Sequence, residues 1–369
     1  MKIFFRWFGL LAGVLSILLA GCAPAQLRIT EPETQPPQPL AETAPPPETE
    51  CAAPPSPEVL CALAAEGVDA GHIFVYDPLV GEMVYCSTDP GDKVYPASIT
   101  KLFTAWVALR FLPGDAVVTA GWELGLLEPG SSSAFLALDS RLTVEDLIQG
   151  MLLPSGNDAA LVLAAAAGRE IGHNPNATAR EAVAEFVAEM NRAVQALHLQ
   201  NTHFENPHGW HGETHYSCPA DLAVMAALAL DEPIIRSSMG LSEITVAARS
   251  GEYYTWHNTN RLVRPDRPGY CPEAIGMKTG YTDAAGHCLL AAFGEETPLV
   301  VGVFGCSSSD VRYETAVELY RLCSAEEQAV QAAVLHQQIQ GRAGDQQHNG
   351  LSDGHIEGIQ SEGSADVQG

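Results

Sequence analysis

A lysine sits one turn into a helix that has no polar face. The segment Tyr95-Pro96-Ala97-Ser98-Ile99-Thr100-Lys101 opens an apolar run to Leu112 whose one further charge is Arg110. Proline's fixed φ suits a helix start, so the helix is expected to begin near Pro96 or Ala97. It must be buried nearly all round. The Lys101 amine then has to be accommodated in the interior, and such burial favours its neutral form.

Lysine is rare in this chain, which holds four (Lys2, Lys93, Lys101, Lys278) among 19 basic residues. Arginine serves elsewhere, so charge alone does not call for lysine at these positions. Only lysine offers an amine whose pKa can be tuned for proton transfer. Ser98 lies three residues before Lys101 and shares its helix face. Helical side chains lean toward the N-terminus, which brings the amine back over Ser98. A serine becomes a nucleophile when a base lies beside it.

Two further motifs follow in order. Pro154-Ser155-Gly156-Asn157-Asp158 forms a turn that feeds the apolar run Ala159–Ala167. Its hydroxyl can relay a proton and its Asn157 amide can bond a substrate amide, although all three polar residues are also ordinary helix caps. Gly276-Met277-Lys278-Thr279-Gly280-Tyr281-Thr282 precedes two apolar runs, Cys288–Phe293 and Leu299–Phe304, which predict successive antiparallel strands. Gly280 would permit close approach of another backbone, such as a peptide laid alongside as an extra strand.

The order S-x-x-K, S-x-N, K-T-G resembles penicillin-binding proteins and β-lactamases. Over residues 60–323 the chain is similar to serine-type D-alanyl-D-alanine carboxypeptidases, the low-molecular-mass penicillin-binding proteins of peptidase family S11. Gly71–Tyr76 and Glu82–Tyr85 look like that family's opening strands. Asn206-Pro207-His208-Gly209, the His215/Ser217/Asp221-Leu222-Ala223 stretch, Asn258/Asn260/Leu262 and the string Lys278 to Gly286 match as well. The resemblance implies an α/β (α+β) fold: a five-stranded antiparallel sheet flanked by helices, an all-helical lobe, and the active site between them.

It further implies the chemistry. Ser98 would attack the penultimate D-Ala carbonyl of a peptidoglycan stem peptide, Lys101 would take its proton, and Ser155, with Lys278 nearby, would protonate the leaving D-Ala. The backbone N–H groups of Ser98 and Tyr281 would hold the oxyanion. Asn157, Lys278, Thr279, Gly280 and Tyr281 would bind substrate, and β-lactams would acylate Ser98. No cofactor or metal is implied. Many relatives carry an arginine just after the last core strand that binds the substrate carboxylate. Here that stretch reads Gly305-Cys306-Ser307-Ser308-Ser309, and the nearest arginine is Arg312. His203, His208, His211 and His215 cluster, but their spacing fits no zinc motif.

Two rivals share the motifs. A class A β-lactamase needs a general-base glutamate; Glu170 comes too soon after Asn157, and Gly156 stands where those enzymes usually have Asp. A non-enzymatic penicillin or muropeptide sensor should couple to a transmembrane signalling segment, and none is evident beyond the leader.

The ends of the chain read differently. Residues 1–21 have Lys2, Arg6 and an apolar run of signal-peptide length. The run ends Leu19-Ala20-Gly21-Cys22, which resembles a lipobox, so Cys22 is expected to carry lipid and anchor the protein to the membrane from outside. Residues 22–58 form an acidic tether, with ten prolines between positions 29 and 58. The catalytic domain is expected at 59–323, followed by a short Ala/Gln-rich helical stretch and a low-complexity, mostly disordered tail through 369. Eight cysteines remain besides Cys22; disulfides and buried thiols are both open. A net charge of −26 argues against nucleic acid, while 46% apolar residues argue against disorder of the whole chain.

Overall fold

The computed structural model describes residues 56–324. All of them lie in the second of two compact units, Ala53–Gly369; the first, Met1–Ala52, falls outside the described residues. So do the signal segment, Cys22, nearly all of the proline-rich stretch and the tail beyond Ser324.

Helix α1 (Pro57–Ala65) starts two residues inside the stretch read as tether. Ser56 caps it by accepting from the Val59 N–H, and Pro57 occupies a first-turn position where its missing N–H costs nothing. Strands β1 (His72–Asp77) and β2 (Glu82–Cys86) form a hairpin. A 3₁₀ turn (Ala97–Ile99) leads into α2 (Thr100–Leu109). A short ribbon of β3 (Val117–Thr119) and β4 (Arg141–Thr143) follows, then α3 (Val144–Leu152), α4 (Asn157–Ile171) and α5 (Ala179–Ala196). Next come α6 (Pro219–Asp231), α7 (Pro233–Met239) and a second ribbon, β5 (Glu243–Ala247) with β6 (Tyr253–His257). The chain closes with β7 (Ala274–Thr282), β8 (Gly286–Phe293), β9 (Leu299–Cys306) and α8 (Ser309–Cys323).

The main sheet runs β2-β1-β9-β8-β7, antiparallel throughout, with β7 at a free edge. Strands β1, β8 and β9 are mostly buried on both faces, which is why they read as apolar runs, whereas β2 is only half-buried. Alternate residues go to opposite cores. Phe74, Tyr76, Leu290, Ala292 and Phe304 join the larger core with α2 to α7. Ile73, Val75, Leu289, Ala291, Phe293 and Val303 pack instead under α1 and α8. The fold is the expected sheet flanked by helices, and its helical lobe also carries the two ribbons.

Cys61 of α1 and Cys323 of α8 form a disulfide across 262 residues of sequence, with Cα atoms 6.8 Å apart. Cys86, Cys218, Cys271, Cys288 and Cys306 are free thiols, and all but Cys86 are buried. Both readings of the cysteines thus hold, each for a different subset. Among the described residues no helix is long and apolar enough to cross a membrane.

Candidate active site

The Ser98 turn is built under strain. Ala97 has φ 48°, a left-handed value that costs a residue with a Cβ. Ser98 then sits in the 3₁₀ turn and Lys101 in α2, so the pair does not share one regular α-helix as the spacing suggested. The tighter turn brings residues i and i+3 nearly into line. Lys101 Nζ comes to 2.7 Å from Ser98 Oγ and 3.5 Å from Ser155 Oγ, and donates to the His208 carbonyl at 2.8 Å. The amine is fully buried. Burial first, and the neighbouring Lys278 charge second, hold its pKa well below the ordinary lysine value; Asp158 and Glu128 oppose them.

Ser155 is also left-handed, at φ 64°. Its carbonyl accepts from Ser132 Oγ at 2.6 Å, and the Asn157 N–H donates to the Ser132 carbonyl at 2.9 Å. The turn is thereby zipped to residues 131–136. A Cβ at Gly156 would lie 2.6 Å from the Gly150 carbonyl oxygen and 2.8 Å from Ala134 N. No side chain fits there, so this turn has no room for the aspartate of the β-lactamase pattern.

Strand β7 brings the third motif. Lys278 Nζ donates to the Thr279 carbonyl at 3.0 Å, and Thr279 Oγ1 lies 2.9 Å from Thr259 Oγ1. Burial, then the charge of Arg312, lowers the Lys278 pKa to about 7. A Cβ on Gly280 would come within 2.9 Å of the Pro96 carbonyl oxygen and 3.2 Å of Ser98 N. Within the chain itself, the backbone that needs Gly280 is the Ser98 turn. Tyr281 is 55% exposed, with its hydroxyl donating to Asp283 Oδ1 at 3.1 Å and its ring 4.6 Å from that of His287.

These pieces surround a cleft of about 380 Å3 between the edge of the main sheet and the helical lobe. Ser98, Ser155, Asn157, Thr279, Gly280 and Tyr281 all line it, whereas Lys101 and Lys278 are not among its lining residues and are buried. The sequence reading left the carboxylate anchor open, and the structure brings Arg312 into the cleft lining. It arrives from the first turn of α8 and donates to the carbonyls of Gly280 and Cys288 at 3.1 and 2.9 Å. Its Nε is buried without a hydrogen-bond partner.

Ser131, Ser132, Thr259 and Trp210 also line the cleft, although none belongs to the three motifs. His208 and Gly209 do too; their signal was the Asn206-Pro207-His208-Gly209 string. Glu170 is exposed near the end of α4, away from the cleft lining. The clustered histidines go separate ways: His208 to Glu128, His215 to Thr100 and His203 to the Thr214 carbonyl. Among the described residues no group of three His, Cys, Asp or Glu side chains is arranged to hold a metal.

Residues 60–308 match the family model of peptidase family S11, described as D-alanyl-D-alanine carboxypeptidase. The chain belongs to that family. It is 30% identical over 240 residues to the D-alanyl-D-alanine carboxypeptidase DacF of Bacillus subtilis, covering 63% of this chain and 56% of that one. It is 32% identical over 268 residues to DacD of Salmonella typhimurium, covering 68% and 62%. Among solved structures, this family member resembles the Streptomyces K15 DD-transpeptidase with a TM-score of 0.61 at 29% identity, over 69% of this chain and 97% of that one. Penicillin-binding protein 6B from Escherichia coli gives 0.59 at 30% identity, over 69% and 77%. The matches span somewhat over half the length of the two curated relatives.

Proposed function

We propose that the protein is a serine-type D-Ala-D-Ala carboxypeptidase that trims the terminal D-Ala from peptidoglycan stem peptides. The observation that carries this reading is the buried Lys101 amine, 2.7 Å from Ser98 Oγ and depressed toward its neutral form. That is a nucleophile with its base already in place.

Ser98 Oγ attacks the carbonyl of the penultimate D-Ala, and its proton passes to Lys101. The N–H groups of Ser98 and Tyr281 receive the developing oxyanion. Ser155, held 3.5 Å from Lys101 Nζ, returns a proton to the departing D-Ala nitrogen, with Lys278 holding the local field positive. Asn157 orients the substrate amide. Arg312 and Thr279 receive the terminal carboxylate; the guanidinium is pinned to two main-chain carbonyls and keeps an unpartnered Nε. Water then cleaves the acyl-enzyme. β-Lactams, which present a similar acyl carbon and carboxylate, acylate Ser98 by the same first step.

Family membership favours action outside the cytoplasmic membrane; the lipobox-like Leu19-Ala20-Gly21-Cys22 supports a Cys22 lipid as anchor, with residues 22–56 as tether and the catalytic unit running from α1 to 323. The test is D-Ala release from a stem pentapeptide by wild type and Ser98→Ala, alongside labelling with a fluorescent penicillin. Release and labelling that both vanish in Ser98→Ala are expected. Stable labelling without release points to a sensor, and rapid release of hydrolysed penicillin to a β-lactamase; either overturns the proposal.

A further inference from the structure

The imidazole of His208 is 2% exposed and lies between two cavities. One is the cleft. The other, of about 460 Å3, is lined by Glu128, Leu161, Arg180, Glu205 and Pro207 among others. Glu128 Oε2 stands 3.1 Å from His208 Nε2, while the Nδ1 of the same ring is buried with no partner. The ring's orientation therefore depends on a single carboxylate, much as a carboxylate behind a metal-ligating histidine fixes that ring.

What the ring holds is the rear of the Ser98–Lys101 pair. The His208 carbonyl accepts from Lys101 Nζ at 2.8 Å. The next residue, Gly209, has φ +86°, and a Cβ there would overlap the Ala97 carbonyl and lie 2.8 Å from Ser98 N. Asn206 Oδ1 gathers the N–H groups of His208, Gly209 and Trp210 at 3.2, 2.8 and 3.0 Å. The turn is thus tied at its neck by Asn206 and at its back by Glu128, and it bears on both reacting groups.

The charges around the amine come from several elements. Lys278 of β7 opposes its protonation, and Arg312 faces Lys278 from α8. Asp158 of α4 and Glu128 favour it. Asp158 is already committed: its oxygens accept from three backbone N–H groups and from Ser133 Oγ. Glu128 is 31% exposed and lines the second cavity with Arg180 of α5 and Glu205.

We infer that Glu128, acting through His208, is a positioning residue for acylation: it steadies the carbonyl that receives the Lys101 amine and supplies negative charge against which that amine's proton is balanced. This rests on the assignment of Lys101 as the base. Removing the carboxylate charge disfavours the protonated amine, so the neutral base persists to lower pH.

The test is the pH profile of the second-order acylation rate of the full chain, purified in detergent, with a fluorescent penicillin. Wild type, Glu128→Gln and Glu128→Asp are compared, each profile normalised to its own plateau. Glu128→Gln keeps an acceptor for His208 and loses only charge, so its acid limb should move to lower pH by about half a unit or more. Glu128→Asp keeps the charge, and its limb should stay nearer to wild type. A Glu128→Gln limb that superimposes on wild type, or moves to higher pH, overturns the inference whatever happens to the plateau. A wild type that is not acylated at Ser98 sinks the carboxypeptidase reading instead, so the two failures are distinguishable.

Discussion

Two single residues show what the site costs the fold. Gly209 is one. Its left-handed φ and its contact with the Ala97 carbonyl leave no space for a methyl group. Gly209→Ala should either lower stability by about 2–4 kcal/mol or push the turn back and slow penicillin acylation by about 100-fold. Urea unfolding and acylation rates, measured together, catch both outcomes; a variant unchanged in both would show that the contact is relieved at no cost. Lys278 is the other. Its amine titrates at about 7 in the folded protein against 10.5 ordinarily. The unfolded chain therefore binds the extra proton between those values, so the burial penalty is full below about pH 7 and fades as pH rises toward 10.5. Lys278→Met should be more stable than wild type at pH 7, with a gap that narrows at higher pH, while D-Ala release falls by about 100-fold or more. A gap that does not narrow would contradict a buried, depressed amine. The presence of these lysines was legible in the sequence, because an apolar helix and an apolar strand each carried one. The φ values of Ala97 and Ser155 were not, since neither residue type announces a left-handed backbone.

At the scale of elements, α4 and the segment 131–136 act as one piece because of Asp158. Its Oδ1 accepts from the N–H groups of Ala134 and Ala159 at 2.7 and 3.0 Å, and its Oδ2 from Ser133 Oγ and the Leu136 N–H at 2.6 and 3.0 Å. Asp158→Asn would turn an amide NH2 toward two donors and leave buried groups unpaired. Stability should fall by about 2–4 kcal/mol, and acylation should slow as the Ser131 and Ser132 wall of the cleft loosens. Retained stability would show that the segment is held by packing alone. Strand and helix identities were readable here from apolar runs and caps. What stayed hidden was which element meets which. Gly280 was rightly seen as a place of close approach, but only the folded chain brings the Pro96–Ser98 backbone to it. Arg312 looked misplaced in sequence because its route to the cleft runs from the start of α8 past the ends of β7 and β8, a path no local pattern encodes.

For the whole molecule, the main sheet divides the apolar material into two cores, and the outer one is closed by α1 and α8. The Cys61–Cys323 bond spans nearly the whole described chain. No spacing argument could select it among eight cysteines. Replacing both cysteines by serine should lower stability by about 2–4 kcal/mol and Tm by about 4–12 °C. The acylation rate at 25 °C should hold within about twofold, because Arg312 sits near the opposite end of α8 from Cys323. An unchanged Tm would mean that the helices hold each other without the bond.

The same bond has a mechanical consequence. Residues 61 and 323, near the two points where the chain enters and leaves the domain, are covalently joined with their Cα atoms 6.8 Å apart. Tension applied between the flanking segments would run across that link rather than through the sheet and the cleft. A pull on those segments would therefore load the Cys61–Cys323 link and leave the residues lining the cleft outside its path.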